Sequence, residues 1–159
     1  PTVWKANQPF EPSPGCGFSI RAVHVPHRDE FSDNHALLIE GGQTTVLFMP
    51  DHDTWDDTLE GVSIRDWLSE LGVHIALIDG TFWDDGELQH RNMREIPHPT
   101  VRESLERLGE RQSGDPDIRF LHLNHTNPLC NPSSPEVKEL HSKGWDLVNE
   151  GDSFTLERL

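Results

Sequence analysis

The sequence predicts an α/β chain with a mixed sheet and helices packed against it. Three observations carry this. Three β-rich runs of antiparallel type come first, helical and strand patterns alternate after them, and Gly or Pro punctuates the boundaries. Alternation of this kind lays helices against a sheet and gathers function in loops at the strand ends.

Each element has its own signal. Residues 1–16 contain Pro1, Pro9, Pro12 and Pro14 and read as an irregular leader to a single domain spanning 1–159. Phe18 to Val25 alternates and is rich in β-formers. Ala36 to Glu40 and Thr44 to Met49 read as two more strands, turned by Gly41 and Gly42. Ile64, Trp67, Leu68 and Leu71 have helical spacing, so Ser63 to Leu71 is a helix stopped by Gly72. His74 to Ile78 is a short apolar strand, followed by a long loop over 79–98 rich in Asp, Gly and His. Thr100 to Arg111 is a helix with Val101, Leu105 and Leu108 on one face. Ile118 to Leu123 is a strand, and Pro135 to Ser142 a helix closed by Gly144. Trp145 to Val148 and Ser153 to Leu156 complete the predicted strands.

Composition narrows the function classes. A formal net charge of −15 repels phosphate backbones and anionic membranes, which argues against nucleic acid and membrane partners. The plain meaning of that charge is solubility or adaptation to salt. Hydrophobic residues make up only 33%, so five Trp and seven Phe must anchor the core. Cys16 and Cys130 are too few for a disulfide framework and form no CxxC pair, which points to a reducing cytoplasm. No apolar run is long enough to span a membrane, and PTVWKANQPF shows no signal-peptide pattern.

Histidines and aspartates fall unevenly, several just after predicted strands. His27 and Asp29 follow the first strand, and Asp51, His52 and Asp53 the third. Asp79 follows the fourth, and His122 and His125 end the fifth. His98 stands just before a helix. Imidazole and carboxylate suit zinc, iron or manganese, and such a centre activates a water or keeps an open coordination position. Each residue also has a plainer reading. His27 fits a surface loop, Asp51 and Asp53 fit caps of the next turn, and His98 fits a helix flank. His122 fits a packed or hydrogen-bonded strand histidine, while His125 before Thr126-Asn127-Pro128 reads as exposed and oriented. His24, His35, His74, His90 and His141 read as structural or surface, the tryptophans as core. Asp84, Asp85 and Glu87 read as a solvated acidic loop, with a calcium or magnesium site left open. No HxH or HExxH is present.

The strings VPHRDEFSD, LFMPDHDTWDD, ALIDGTFWDDGEL, EIPHPTVRESLERL and FLHLNHTNP resemble the metallo-β-lactamase superfamily over about residues 22–155. Within it, IDGTFWDDGEL and HLNHTNP resemble the pyrroloquinoline quinone biosynthesis B group. The resemblance implies the C-terminal half of an αββα sandwich and a centre of one or two divalent ions, zinc or iron, in the intact protein. It implies metal ligands at His27, Asp51 and His125, with Asp51 as the bridging, catalytically engaged carboxylate. It also places His98 where related RNA-processing and phosphodiesterase members keep a proton-transfer histidine. The HxHxDH loop of the superfamily's first half is absent from these 159 residues. The implied partner is therefore an N-terminal half carrying that loop, because half a sandwich leaves a sheet face uncovered. A second copy is the other way to cover it.

For the group, the resemblance implies hydroxylation of a tyrosine-derived precursor from a small peptide on the way to the quinone cofactor. For a generic member it implies hydrolysis of an ester, amide or phosphodiester, with His98 protonating the leaving group. A carrier or binding module without turnover, or a half inactive alone, are the non-enzymatic alternatives.

Overall fold

Hydrophobic alternation becomes one six-stranded sheet whose strands lie in sequence order: β1 (Ser19–His24), β2 (His35–Glu40), β3 (Thr45–Met49), β4 (Ile75–Asp79), β5 (Asp117–Leu121) and β6 (Asp146–Leu147). The first three are antiparallel, with Ala22 opposite Leu37 and Leu38 opposite Leu47. β3 to β6 are parallel neighbours, with Leu47 opposite Ala76 and Ala76 opposite Ile118. The computed structural model describes residues 5–28, 33–88 and 97–156. Asp29, His90 and parts of the predicted leader and 79–98 loop lie outside them.

Among the described residues four α-helices accompany the sheet: α1 (Trp55–Leu59), α2 (Ile64–Glu70), α3 (Val101–Leu108) and α4 (Pro135–Ser142). Each begins at a hydroxyl that accepts a first-turn N–H: Thr54 from Asp57, Ser63 from Asp66, Thr100 from Glu103 and Ser134 from Val137. Their apolar stripes (Trp55, Leu59, Ile64, Leu68, Val101, Leu105, Leu108, Val137, Leu140) join one core with Ala36, Leu38, Leu47, Met49, Ala76, Ile78, Ile118 and Phe120. Those strand residues share one sheet face by register, so the helices cover one face, as half of an αββα sandwich implies.

The other face is also apolar but incompletely covered. Ile20, Leu37, Ile39, Ile75 and Leu121 are half-buried there, and Phe48 is 36% exposed. The leader pairs along the free edge of β1: the N–H of Phe10 donates to the Ile20 carbonyl at 2.9 Å, and that of Asn7 to Ala22 at 2.8 Å. No helix among the described residues is long and apolar enough to cross a membrane.

Three expectations change. α1 has no counterpart in the hydrophobic pattern, because a five-residue helix offers one Trp55–Leu59 repeat and no period. The fifth strand stops at Leu121 rather than Leu123, because His122 adopts a left-handed backbone with φ 64°. Ser153 to Leu156 forms no strand. The chain turns at Asn149–Asp152, where the Asp152 N–H donates to the Asn149 carbonyl at 3.1 Å, and Phe154 instead packs under the Arg119 guanidinium.

Candidate metal centre

The C-terminal ends of β3 and β4, the segments after β1 and β5 and the residues before α3 bring His27, Asp51, Asp79, His98 and His122 together. Asp51 follows β3 and Asp79 ends β4. His98 stands just before Thr100, the residue that caps α3. Among the described residues these three form the one group of metal-type donors with ligand atoms all within 4.8 Å of one another.

Asp79 organises the cluster. It is fully buried at the strand end. One carboxylate oxygen accepts the Thr81 N–H at 2.8 Å and the Thr81 hydroxyl at 2.7 Å. The other faces His98 Nδ1 at 2.8 Å and the His52 N–H at 3.4 Å. Burial would push its pKa up, but the hydrogen bond and charge of His98 and the two Thr81 donors hold it below the usual carboxylate range. Burial likewise opposes a charged His98, but the hydrogen bond and charge of Asp79, with Asp51 and Asp53 nearby, raise its pKa.

The tautomers follow from the donors. The Asp79 carboxylate only accepts, so the single Thr81 hydroxyl proton goes to it. The Thr81 oxygen, 3.0 Å from His122 Nδ1, therefore accepts from that nitrogen, and neutral His122 carries its lone pair on Nε2. The His122 ring lies 6.3 Å from that of His98, centroid to centroid.

His27 completes the rim. Its Nδ1 lies 2.9 Å from Asp53 Oδ1 and its Nε2 3.3 Å from Asp51 Oδ2. A carboxylate on the far nitrogen is the arrangement that orients a metal-ligating histidine. Asp53 also accepts the Arg28 N–H, while Thr54 caps α1. Asp51 Oδ1 is buried with no hydrogen-bond partner, 3.4 Å from a His98 Nδ1 already engaged by Asp79. An orphaned carboxylate oxygen amid imidazoles fits a hard or borderline divalent cation.

The structure thus brings His27, Asp51 and His98 of the sequence-predicted site residues together. His125 is exposed, with Nδ1 3.1 Å from Asn124 Oδ1, and is not in the three-residue donor group. Sequence reading left Asp79 and His122 out of the ligand set. The signal for Asp79 was a carboxylate closing an otherwise apolar strand, IALID, where burial demands a partner. The acidic loop is internally bonded: Glu87 accepts the Trp83 N–H at 2.7 Å and the Thr126 hydroxyl.

Comparison with known proteins bears on the fold. No protein-family model matches the chain. Coenzyme PQQ synthesis protein B of Pseudomonas fluorescens is 33% identical over 153 residues, covering 87% of this chain and 46% of that protein. The Pseudomonas putida W619 protein of the same name is 30% identical, with 87% and 48% covered. Zinc-bound PqqB from Methylobacterium extorquens superposes with TM-score 0.69 at 22% identity, over 98% of this chain and 52% of that one. The chain carries half of the metallo-β-lactamase fold. The metallo-β-lactamase fold protein YhfI from Bacillus subtilis agrees, with TM-score 0.58 at 16% identity over 96% of this chain and 54% of that one. The chain spans about half the length of the curated relatives it matches. In this half-fold, Asp51 and Asp79 sit at strand ends and His98 just before α3.

Proposed function

We propose that the chain contributes half of a metal-dependent enzyme in coenzyme PQQ biosynthesis, oxygenating or hydroxylating a tyrosine-derived precursor. The observation that supports it best is the buried Asp79 holding His98 beside the orphaned Asp51 oxygen, in a chain similar to coenzyme PQQ synthesis protein B. Asp51, Asp79 and His98 would hold the ion, zinc or iron, with His27 and His122 alongside. His125 is kept as the ligand the family resemblance implies. A bound divalent ion supplies Lewis acidity toward a water or substrate oxygen. The chain's own residues orient it: Asp53 fixes the His27 ring, and Thr81 fixes both Asp79 and His122. The two free thiols, Cys16 and Cys130, suit a reducing cytoplasm.

The partially uncovered sheet face with Phe48 supports a partner half bearing the HxHxDH loop, which would cover it and add ligands. A second copy of the chain is the competing cover. Co-expression with that half, followed by incubation with tyrosine-containing peptides, O2 and a two-electron reductant such as ascorbate, with mass spectrometry, tests the function. A gain of one oxygen mass, lost with His98→Ala, is the expected result. No modified peptide from a metal-loaded assembly contradicts it.

Hydrolysis is the second reading, and the charged state that Asp79 favours on His98 supports it. A protonated imidazole donates to a leaving-group oxygen. Cleavage of a chromogenic phosphodiester by the same assembly, without peptide oxygenation, would select it.

A further inference from the structure

Two histidines outside the centre stand directly opposite each other. His24 ends β1 and His35 begins β2, and the register pairs them. The Val25 N–H donates to the Asn34 carbonyl at 3.1 Å, which makes the adjoining His24–His35 pair a non-hydrogen-bonded one. In such pairs the Cα atoms are about 4.5 Å apart and the side chains stand closer than in hydrogen-bonded pairs. The rings meet edge-on with centroids 5.7 Å apart, and His24 is exposed. Their strand positions share a face with Ala22 and Leu37, the face the helices do not cover.

Two imidazoles on rigid, paired strands lose little freedom when they share an ion. Each ring nitrogen ligates zinc at about 2.0–2.1 Å, and neighbouring rings at this spacing rotate about their side-chain torsions to reach one ion, with water completing the shell. We propose that His24 and His35 form a second, two-imidazole site for a late first-row divalent ion, separate from the Asp51–Asp79–His98 cluster. It lies on the opposite sheet face from the helix-covered core. An ion there would clamp β1 to β2 at the mouth of the segment that leads to His27.

Zinc titration of a His98→Ala chain by calorimetry tests this. One equivalent is expected to bind still, and His24→Ala or His35→Ala added to it is expected to weaken that binding at least tenfold, about 1.4 kcal/mol. No zinc binding by the folded His98→Ala chain, or binding indifferent to both replacements, overturns the proposal. Should the His98→Ala chain fail to fold, imidazole 1H–15N spectra of the unaltered chain give the answer. The His24 and His35 ring signals are expected to move together as zinc is added. Movement confined to other histidines at saturating zinc overturns the site.

Discussion

At the scale of single residues, His52 shows what burial does to an imidazole. It is fully buried, packs edge-on against Trp55 at 4.5 Å, and has no partner for either ring nitrogen among the described residues. Burial lowers its pKa to about 4, with the charges of His98 and His27 adding and Asp79 opposing. A lowered histidine pKa means the unfolded chain binds a proton that the folded chain refuses. Stability therefore falls as pH drops from about 6.5 toward 4, by up to roughly 1.4 kcal/mol per pH unit. In the metal-free chain, His52→Leu is expected to flatten that slope and to leave stability at pH 7 unchanged or higher. Urea denaturation at pH 7, 6 and 5 checks both, and an unchanged slope would assign the acid sensitivity to other groups. Thr81 makes a second residue-scale case. Thr81→Val removes a donor to Asp79 and the acceptor for His122. Zinc affinity is expected to fall about threefold to thirtyfold, the cost of about one or two hydrogen bonds, while Thr126→Val leaves it unchanged. Strand-end position singled out His27, Asp51, Asp79, His122 and His125 alike, and the family resemblance then chose His27, Asp51 and His125 as ligands and His98 as a proton-transfer group. It passed over Asp79 and His122 because their roles come from the Thr81 hydroxyl, a partner that strand-end position does not reveal.

At the scale of elements, the site depends on how closely β4 and β5 approach. Gly80 follows Asp79, and its N–H donates to the Leu121 carbonyl at 2.8 Å. A Cβ there would meet that carbonyl oxygen at 2.9 Å and Phe120 Cβ at 3.0 Å, both on the neighbouring strand. Gly80→Ala is expected to destabilise the chain by about 1–3 kcal/mol and to loosen metal binding, because relief of the clash moves the Asp79–Thr81 turn. Thermal unfolding and zinc titration of the same sample measure the two effects. Gly86→Ala, whose added carbon would meet the Asp84 carboxylate at 3.3 Å and no neighbouring backbone, controls for composition alone. The longer elements were legible because Ile64, Leu68, Val101 and Leu105 repeat at helical spacing over two turns. α1 escaped notice because it is too short to show a period, although Thr54 and Asp57 carry its cap. The expected Ser153–Leu156 strand failed for a related reason: alternation over four residues does not outweigh an Asn149–Asp152 turn.

At the scale of the whole molecule, one sheet face is sealed by four helices and the other is left with Phe48 exposed. The charge of −15 opposes self-association through that face. Helices packed on a mixed sheet were legible from element order and the half-sandwich from the family resemblance, whereas the degree of exposure was legible only from register. Phe48→Lys is expected to leave this chain folded, because the side chain already meets solvent, and to abolish capture by the HxHxDH-bearing half in a pull-down. Retained capture would show that the partner docks elsewhere.

The proposed function stands on a divalent ion held by Asp51, Asp79 and His98. Zinc and iron(II) content of the chain, purified without chelator and titrated back after dialysis, tests it most directly. One equivalent at the centre is expected, distinguished from any bound at His24 and His35 by its loss in folded Asp51→Asn, Asp79→Asn or His98→Ala chains. Retention of all bound metal by those three variants would contradict the account.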